Sequence, residues 1–314
     1  MNSIQLALTA AALAIACSAD EGGETLAGDP VERGRYIVNN VAACTDCHTP
    51  RDPNTGAFIE AMFLAGAECF VRLDNGSCLN SRNLTNHETG LANRTDAEIE
   101  RMIRDGVRPA ATGDEALSPV MPYYVLHNMS DADLDAVVAY LRTVPAVDHA
   151  VPRSGPEFEL PTPANPVAPG AIPMPMAGYA EVDAALRGRY LAGEIGICME
   201  CHTQHNMDSP DVLDLSAPFA GGQSYDIGGP VASVSKNLTS DAETGLTEWT
   251  LDDIVHAVKD GIDASGDRLC PPMPSGAMLP FSGLTDADAL DIAHYLKSLP
   301  PVAKAIDDVC TGPM

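Results

Sequence analysis

The chain has 314 residues, and its 44 acidic and 18 basic residues give a formal net charge of −26 at pH 7. This length fits two domains of ordinary size plus a connector. The charge excludes nucleic-acid binding from the expected functions, because phosphate groups repel such a surface. Two interpretations of the charge stay open, namely steering toward a basic protein partner and general solvation.

The N-terminus predicts export. Residues 1–19 begin with an apolar, alanine-rich run of the length of a secretory signal peptide, and the run is too short to span a membrane. Cys17 follows Ala14-Ile15-Ala16, which resembles a bacterial lipoprotein cleavage site. We therefore expect the chain to be exported to the periplasm or beyond, either with lipid on Cys17 as a membrane anchor or after ordinary signal-peptide cleavage.

Helix signals dominate the rest of the chain. Asp29 and Pro30 predict the N-cap and first position of a helix. Four later helices are predicted to begin after Thr95, Ser130, Thr250 and Thr285. Their predicted ends are Gly106, Pro145, Gly261 and Pro300. Strand patterns are scarce apart from short stretches at 69–78 and 227–234, so the expected fold class is mainly α.

Two pentapeptides carry the pattern C-x-x-C-H: Cys44-Thr45-Asp46-Cys47-His48 and Cys198-Met199-Glu200-Cys201-His202. Two thiols three positions apart can form thioethers with one porphyrin, and the following imidazole can then bind its iron. Zinc is disfavoured, because it prefers four protein ligands and each motif supplies three. The pattern predicts two covalently bound haem c groups, with His48 and His202 as iron ligands.

The two motifs belong to an internal repeat and lie 154 positions apart. Residues 33–36, 83–85 and 88–91 recur at 187–190, 237–239 and 243–246. The repeat predicts two tandem domains at 29–147 and 181–304, called the first half and the second half below. A proline-rich linker at 148–180 either spaces the halves or wraps along them, and residues 305–314 form a tail.

The repeat also predicts a second axial ligand in each half. Residues 117–122 align with 269–274, and each segment has a methionine near prolines, Met121 and Met273. A thioether is a soft ligand that suits haem iron, and prolines stiffen the loop that presents it. The alternatives are Met129 in the first half and Met278 in the second.

Four cysteines lie outside the motifs and Cys17, namely Cys69, Cys78, Cys270 and Cys310. An even number in an exported protein suggests two disulfides. Three pairings are possible, and short sequence distance favours Cys69–Cys78 and Cys270–Cys310. The alternative for Cys270 is an iron ligand.

The order of haem motif, Asn-Leu-Thr segment, capped helix, proline-flanked methionine and closing helix resembles the class I cytochrome c family. More narrowly, it is similar to bacterial multihaem cytochrome c subunits of membrane alcohol and aldehyde dehydrogenases. The resemblance covers about 29–145 and 182–301. It implies haem on the four motif cysteines, and Asn-Leu-Thr segments near the haem edge. Two features differ, because those subunits usually carry three haems and because Trp249 is replaced by Arg94 in the first half.

The expected function is electron transfer between exported redox partners, such as a dehydrogenase and a terminal oxidase or reductase, with no open iron position for catalysis. A basic docking face on the partner would suit the charge of this chain. The alternatives are a dihaem enzyme (a peroxidase or a thiosulfate-oxidising cytochrome) and a subunit of a larger dehydrogenase. His205 is a candidate haem-propionate neighbour. Tyr36 and Tyr190 are expected either beside the porphyrin or in the core.

Overall fold

The computed structural model describes residues 28–73, 75–111, 113–158, 160–207, 209–226, 232–270, 272–273 and 280–306. Several predictions fall on other residues. The signal peptide, the alternative ligand Met278 and the tail cysteine Cys310 all lie outside the described residues.

The described part of the first half is mainly helical. Its α-helices are α1 (Pro30–Tyr36), α2 (Cys44–His48), α3 (Asp96–Asp105), α4 (Tyr123–Leu126) and α5 (Asp131–Leu141). A π-helical turn at Ile37–Val41 joins α1 to α2, and a 3-10 turn occupies Glu60–Met62.

The described part of the second half has a similar helix order. Its α-helices are α6 (Val182–Tyr190), α7 (Cys198–Cys201), α8 (Leu251–Asp260) and α9 (Asp286–Ser298). A π-helical turn at Leu191–Ile195 joins α6 to α7, and a 3-10 turn at Pro280–Gly283 precedes α9. Two further 3-10 turns, Pro156–Phe158 and Pro169–Ala171, lie between the halves.

Short antiparallel hairpins make up the strand content of the described residues. Their strands are β1 (Val71–Arg72), β2 (Cys78–Leu79), β3 (Val107–Ala110), β4 (Gly113–Ala116), β5 (Ser224–Asp226) and β6 (Ala232–Val234). The first hairpin overlaps the stretch predicted at 69–78. In the third hairpin β6 lies within the predicted stretch 227–234 and β5 lies just before it, while residues 227–231 lie outside the described residues. The β3–β4 hairpin was missed, because Pro109 lies inside it and proline normally argues against a strand.

The predicted helix caps are confirmed. The Asp29 carboxylate accepts a hydrogen bond from the Val31 amide at 2.9 Å. Thr95 and Thr250 each form a capping box with the residue three positions on. These two helices end at Gly106 and Gly261, which have φ of 64° and 67°. Ser130 and Thr285 cap α5 and α9, which end a few residues before the predicted prolines.

The same helix contact recurs in both halves. Helix α1 packs on α5, and α6 packs on α9. Gly34 lies so close to α5 that a Cβ atom there would be 1.9 Å from the Ala136 carbonyl oxygen. Gly188 lies against α9, where a Cβ would be 1.9 Å from the Asp291 carbonyl oxygen. Each closing helix is therefore held against the helix that leads to a cysteine motif.

The proline-rich segment between the halves packs along both of them. The Val167 amide donates to the Tyr124 carbonyl of the first half at 2.8 Å. Ile172 is fully buried, and the Tyr295 hydroxyl of α9 donates to the Pro173 carbonyl at 2.9 Å. These contacts favour the wrapping arrangement over a free spacer.

Buried hydrophobic residues form one continuous cluster that extends from Tyr36 to Leu299 and includes both halves. Burial of this apolar surface supplies the main favourable free energy of folding. Among the residues that the structure describes, none of the helices has the length and apolar character needed to span a bilayer.

Candidate haem sites

The four motif cysteines lie at matching places, each just after a π-helical turn. All four thiols are half-buried and free of disulfide bonds. Burial raises the pKa of Cys44 to about 11 and the pKa of Cys198 and Cys201 to about 12. Because none of the four is held in a disulfide, all four sulfurs are available for thioether formation, as covalent haem attachment requires.

Both motif histidines are oriented by a backbone carbonyl. His48 Nδ1 lies 2.7 Å from the Arg82 carbonyl oxygen, and His202 Nδ1 lies 2.7 Å from the Lys236 carbonyl oxygen. When Nδ1 donates this hydrogen bond, Nε2 keeps its lone pair for a metal. Burial lowers the pKa of both imidazoles, which favours the neutral form that binds iron. The residues of both motifs therefore fit a haem group.

Two glycines that the sequence analysis did not single out as site residues support these histidines. The Gly66 amide donates to the His48 carbonyl at 2.8 Å, and the Gly221 amide donates to the His202 carbonyl at 2.7 Å. Both have positive φ, and a Cβ on Gly66 would lie 2.6 Å from the Ser81 carbonyl oxygen. A side chain is thus excluded here. The signal that could have found them is their spacing along the sequence, because Gly66 follows His48 by 18 positions and Gly221 follows His202 by 19.

The predicted methionine ligands differ in their surroundings. Met121 is half-buried and packs against the same hydrophobic cluster as Cys44. Met129, its alternative, is 4% exposed inside that cluster, where it has the role of a core side chain. Met273 is half-buried and its amide donates to the Cys270 carbonyl at 3.1 Å. Met121 and Met273 stay predicted ligands.

The Asn-Leu-Thr segments brace the chain after each closing helix. The Asn83 side-chain amide donates to the Val147 carbonyl at 2.9 Å, and Asn237 donates to the Val302 carbonyl at 2.8 Å. Both asparagines are nearly fully buried. Their side chains therefore fix the segment that follows each closing helix, and their predicted place near a haem edge stays a prediction.

Tyr36 lies in the buried hydrophobic cluster and Tyr190 packs against it, which agrees with the core alternative, and each also hydrogen-bonds the opposite half. The Tyr36 hydroxyl donates to the Asp288 carboxylate of α9 at 2.5 Å. The Tyr190 hydroxyl donates to the Asp133 carboxylate of α5 at 2.7 Å. The expectation missed this role, because the partners are far apart in sequence.

A third tyrosine reaches directly into the second motif. The Tyr124 hydroxyl, three positions after Met121, donates to the Glu200 carboxylate between Cys198 and Cys201. His205 lies on the other side of Glu200, with Nε2 2.7 Å from the Glu200 carbonyl oxygen. His205 thus lies beside the second motif, as the sequence predicts, and its role as a propionate neighbour stays a prediction.

The structure confirms the predicted disulfide between Cys69 and Cys78, which are nine positions apart, with Cys69 just before β1 and Cys78 in β2. Cys270 is also disulfide-bonded. Its sulfur is therefore unavailable as a thiolate iron ligand, which was the alternative expected for Cys270.

Residues 31–145 match the family model described as Cytochrome c. The chain is 30% identical over 284 residues to the fructose dehydrogenase cytochrome subunit of Gluconobacter japonicus, covering 88% of this chain and 54% of that protein. It is 28% identical over 285 residues to the cytochrome c subunit of the quinone alcohol dehydrogenase of Gluconobacter oxydans, covering 87% and 55%. A diheme cytochrome c-type protein of Cereibacter sphaeroides is 25% identical over 270 residues, covering 82% of each chain. The chain spans about half the length of the two dehydrogenase subunits.

Proposed function

We propose that this chain, whose residues 31–145 match the Cytochrome c family model, is a cytochrome c that acts as an exported dihaem electron carrier serving a dehydrogenase. One class I cytochrome c domain would occupy 29–147 and a second 181–304, joined by the linker at 148–180. The observation that carries the proposal is the pair of equivalent histidines, each held through Nδ1 by a carbonyl 2.7 Å away.

The proposed sites use the same residue types in each half. Cys44 and Cys47 would hold one haem, with His48 as proximal ligand and Met121 as distal ligand. The second site consists of Cys198, Cys201, His202 and Met273. Bound haem supplies an iron that gains or loses one electron, and a His/Met pair raises its reduction potential.

The chain's own residues would keep the iron a carrier rather than a catalyst. His48 and His202 are locked in one tautomer, so that each presents Nε2 in a fixed direction. A methionine on the opposite side would fill the last iron position and leave none for substrate.

The names of the relatives support a dehydrogenase as the electron donor. The fructose and alcohol dehydrogenase proteins are cytochrome subunits, so we propose that this chain accepts electrons from a partner of that kind. Its charge of −26 favours a basic docking face on that partner, with an association rate that falls as salt rises. Export, with lipid on Cys17 as one means of attachment, completes the proposal.

The test is spectroscopy of the exported protein during a redox titration. We expect two low-spin haems that cycle reversibly, with a ferric absorption band from methionine–iron bonding. Met121→Ala should remove that band from one haem, and either Met273→Ala or Met278→Ala should remove it from the other. Met174→Ala is the matched control, since Met174 is 58% exposed. A high-spin ferric haem in the unaltered protein would contradict the carrier function and favour a peroxidase.

A further inference from the structure

The two halves are joined by a reciprocal pair of tyrosine hydrogen bonds. Tyr36 ends α1 and lies eight positions before Cys44, and Tyr190 ends α6 and lies eight positions before Cys198. Tyr36 bonds to the first turn of α9, and Tyr190 bonds to the first turn of α5. Each half therefore holds the helix that leads into the other half's motif.

Each tyrosine hydroxyl makes two kinds of contact at once. The Tyr36 hydroxyl donates to Asp288 and accepts from the Thr285 amide at 3.2 Å. The Tyr190 hydroxyl donates to Asp133 and accepts from the Ser130 amide at 3.1 Å. A phenylalanine at either position would lose both contacts and leave a carboxylate without its hydroxyl partner.

The Tyr124–Glu200 hydrogen bond places the two motif regions in contact. Tyr124 follows the predicted ligand Met121 of the first half, and Glu200 lies inside the second Cys-x-x-Cys loop. The first-half methionine loop and the second-half thioether loop thus touch through these two side chains.

We propose that Tyr36, Tyr190 and Tyr124 are positioning residues that hold the two haem-attachment helices face to face, so that electrons pass between the haems within one molecule. The inference rests on the proposed dihaem function and deepens it. It assigns these residues an electron-transfer role that acts through the placement of α2 and α7, without contact with iron.

The loss of the hydrogen bonds can be expressed as a shift in an equilibrium between two states. In the docked state the two halves are packed together, and in the other state they have separated. A hydrogen bond to a charged group contributes about tenfold to an equilibrium, so the loss of two shifts the docked state by about a hundredfold. The double variant Tyr36→Phe/Tyr190→Phe should therefore loosen the halves while every predicted iron ligand stays in place.

The experiment measures haem–haem distance by pulsed electron paramagnetic resonance and the rate of intramolecular electron exchange after flash photoreduction. We expect the double variant to broaden the distance distribution and to slow exchange by about tenfold or more. Tyr124→Phe should do the same to a smaller degree. Tyr179→Phe is the matched control, because the Tyr179 hydroxyl bonds His294 of the second half and, among the residues that the structure describes, none of the first half.

The outcomes separate the two proposals. Haem content and reversible redox cycling are measured first on the unaltered protein, and fewer than two haems there would overturn the proposed function itself. Two haems with unchanged distance and exchange rate in the double variant would overturn only the positioning inference. Where the double variant fails to fold, Asp288→Asn weakens the same contact from the acceptor side. Unchanged exchange in that variant and in Tyr124→Phe would likewise overturn the inference.

Discussion

Replacing Gly34 by alanine tests the helix contact on which the first motif depends. The added Cβ would start 1.9 Å from the Ala136 carbonyl oxygen, and real Cβ contacts are essentially never closer than 3.0 Å. Helices α1 and α5 would therefore have to separate by about 1 Å, since the opposing atom belongs to the backbone and cannot rotate away.

The magnitude follows from two opposing contributions. Overpacking of this severity costs about 3 kcal/mol, whereas alanine in place of glycine in a helix returns about 1 kcal/mol. The net loss in the free energy of unfolding is about 2 kcal/mol, which lowers Tm by about 3 °C for a chain of 314 residues, because the entropy of unfolding is about 2.1 cal/mol/K per residue.

The assay is thermal unfolding followed by circular dichroism, with the haem content of each variant measured in parallel. Gly188→Ala should lose a similar amount, because its Cβ would lie 1.9 Å from the Asp291 carbonyl oxygen. Gly170→Ala is the control, since no heavy atom of the described residues lies within 4 Å of the added carbon. An unchanged Tm for Gly34→Ala would refute the close approach of α1 and α5.

Two further predictions concern the stability of the first half. Replacing Cys69 and Cys78 by alanine should lower the free energy of unfolding by about 2–3 kcal/mol, because the disulfide restricts the unfolded chain by closing a short loop. Urea denaturation measures this loss, and unchanged stability would contradict the prediction. Burial opposes ionisation of Asp133, but hydrogen bonds from Arg33 and Tyr190 outweigh it and lower the pKa. Its stabilisation is therefore present above the unfolded pKa of about 3.9 and is lost as pH falls through the folded value. Asp133→Asn should flatten the acid side of the urea-midpoint profile, and an identical profile would contradict the linkage.

Local signals in the sequence were sufficient to predict much of the fold. Thr95 and Thr250 each have an acidic residue three positions later, and this chemistry acts within one turn of helix. The Cys69–Cys78 disulfide was likewise predictable, since the two cysteines are close along the chain. Both partners in each of these interactions lie within ten positions of one another, so the sequence alone is sufficient to pair them.

Non-local contacts were the ones that the sequence could not predict. The partners Tyr36 and Asp288 are 252 positions apart, and no pattern in the chain links a hydroxyl to a carboxylate over that distance. The requirement for Gly66 arises from a backbone approach by Ser81, which only the folded loop reveals. The relative placement of the two halves, and hence the contact between their motifs, also depends on such non-local contacts.

The central claim is that each half holds one covalently attached haem, and mass spectrometry of the exported protein after proteolysis tests it most directly. The account predicts one haem on the peptide containing Cys44 and Cys47 and one on the peptide containing Cys198 and Cys201. A peptide from either motif that carries no haem, or a haem found on any other cysteine, would contradict it.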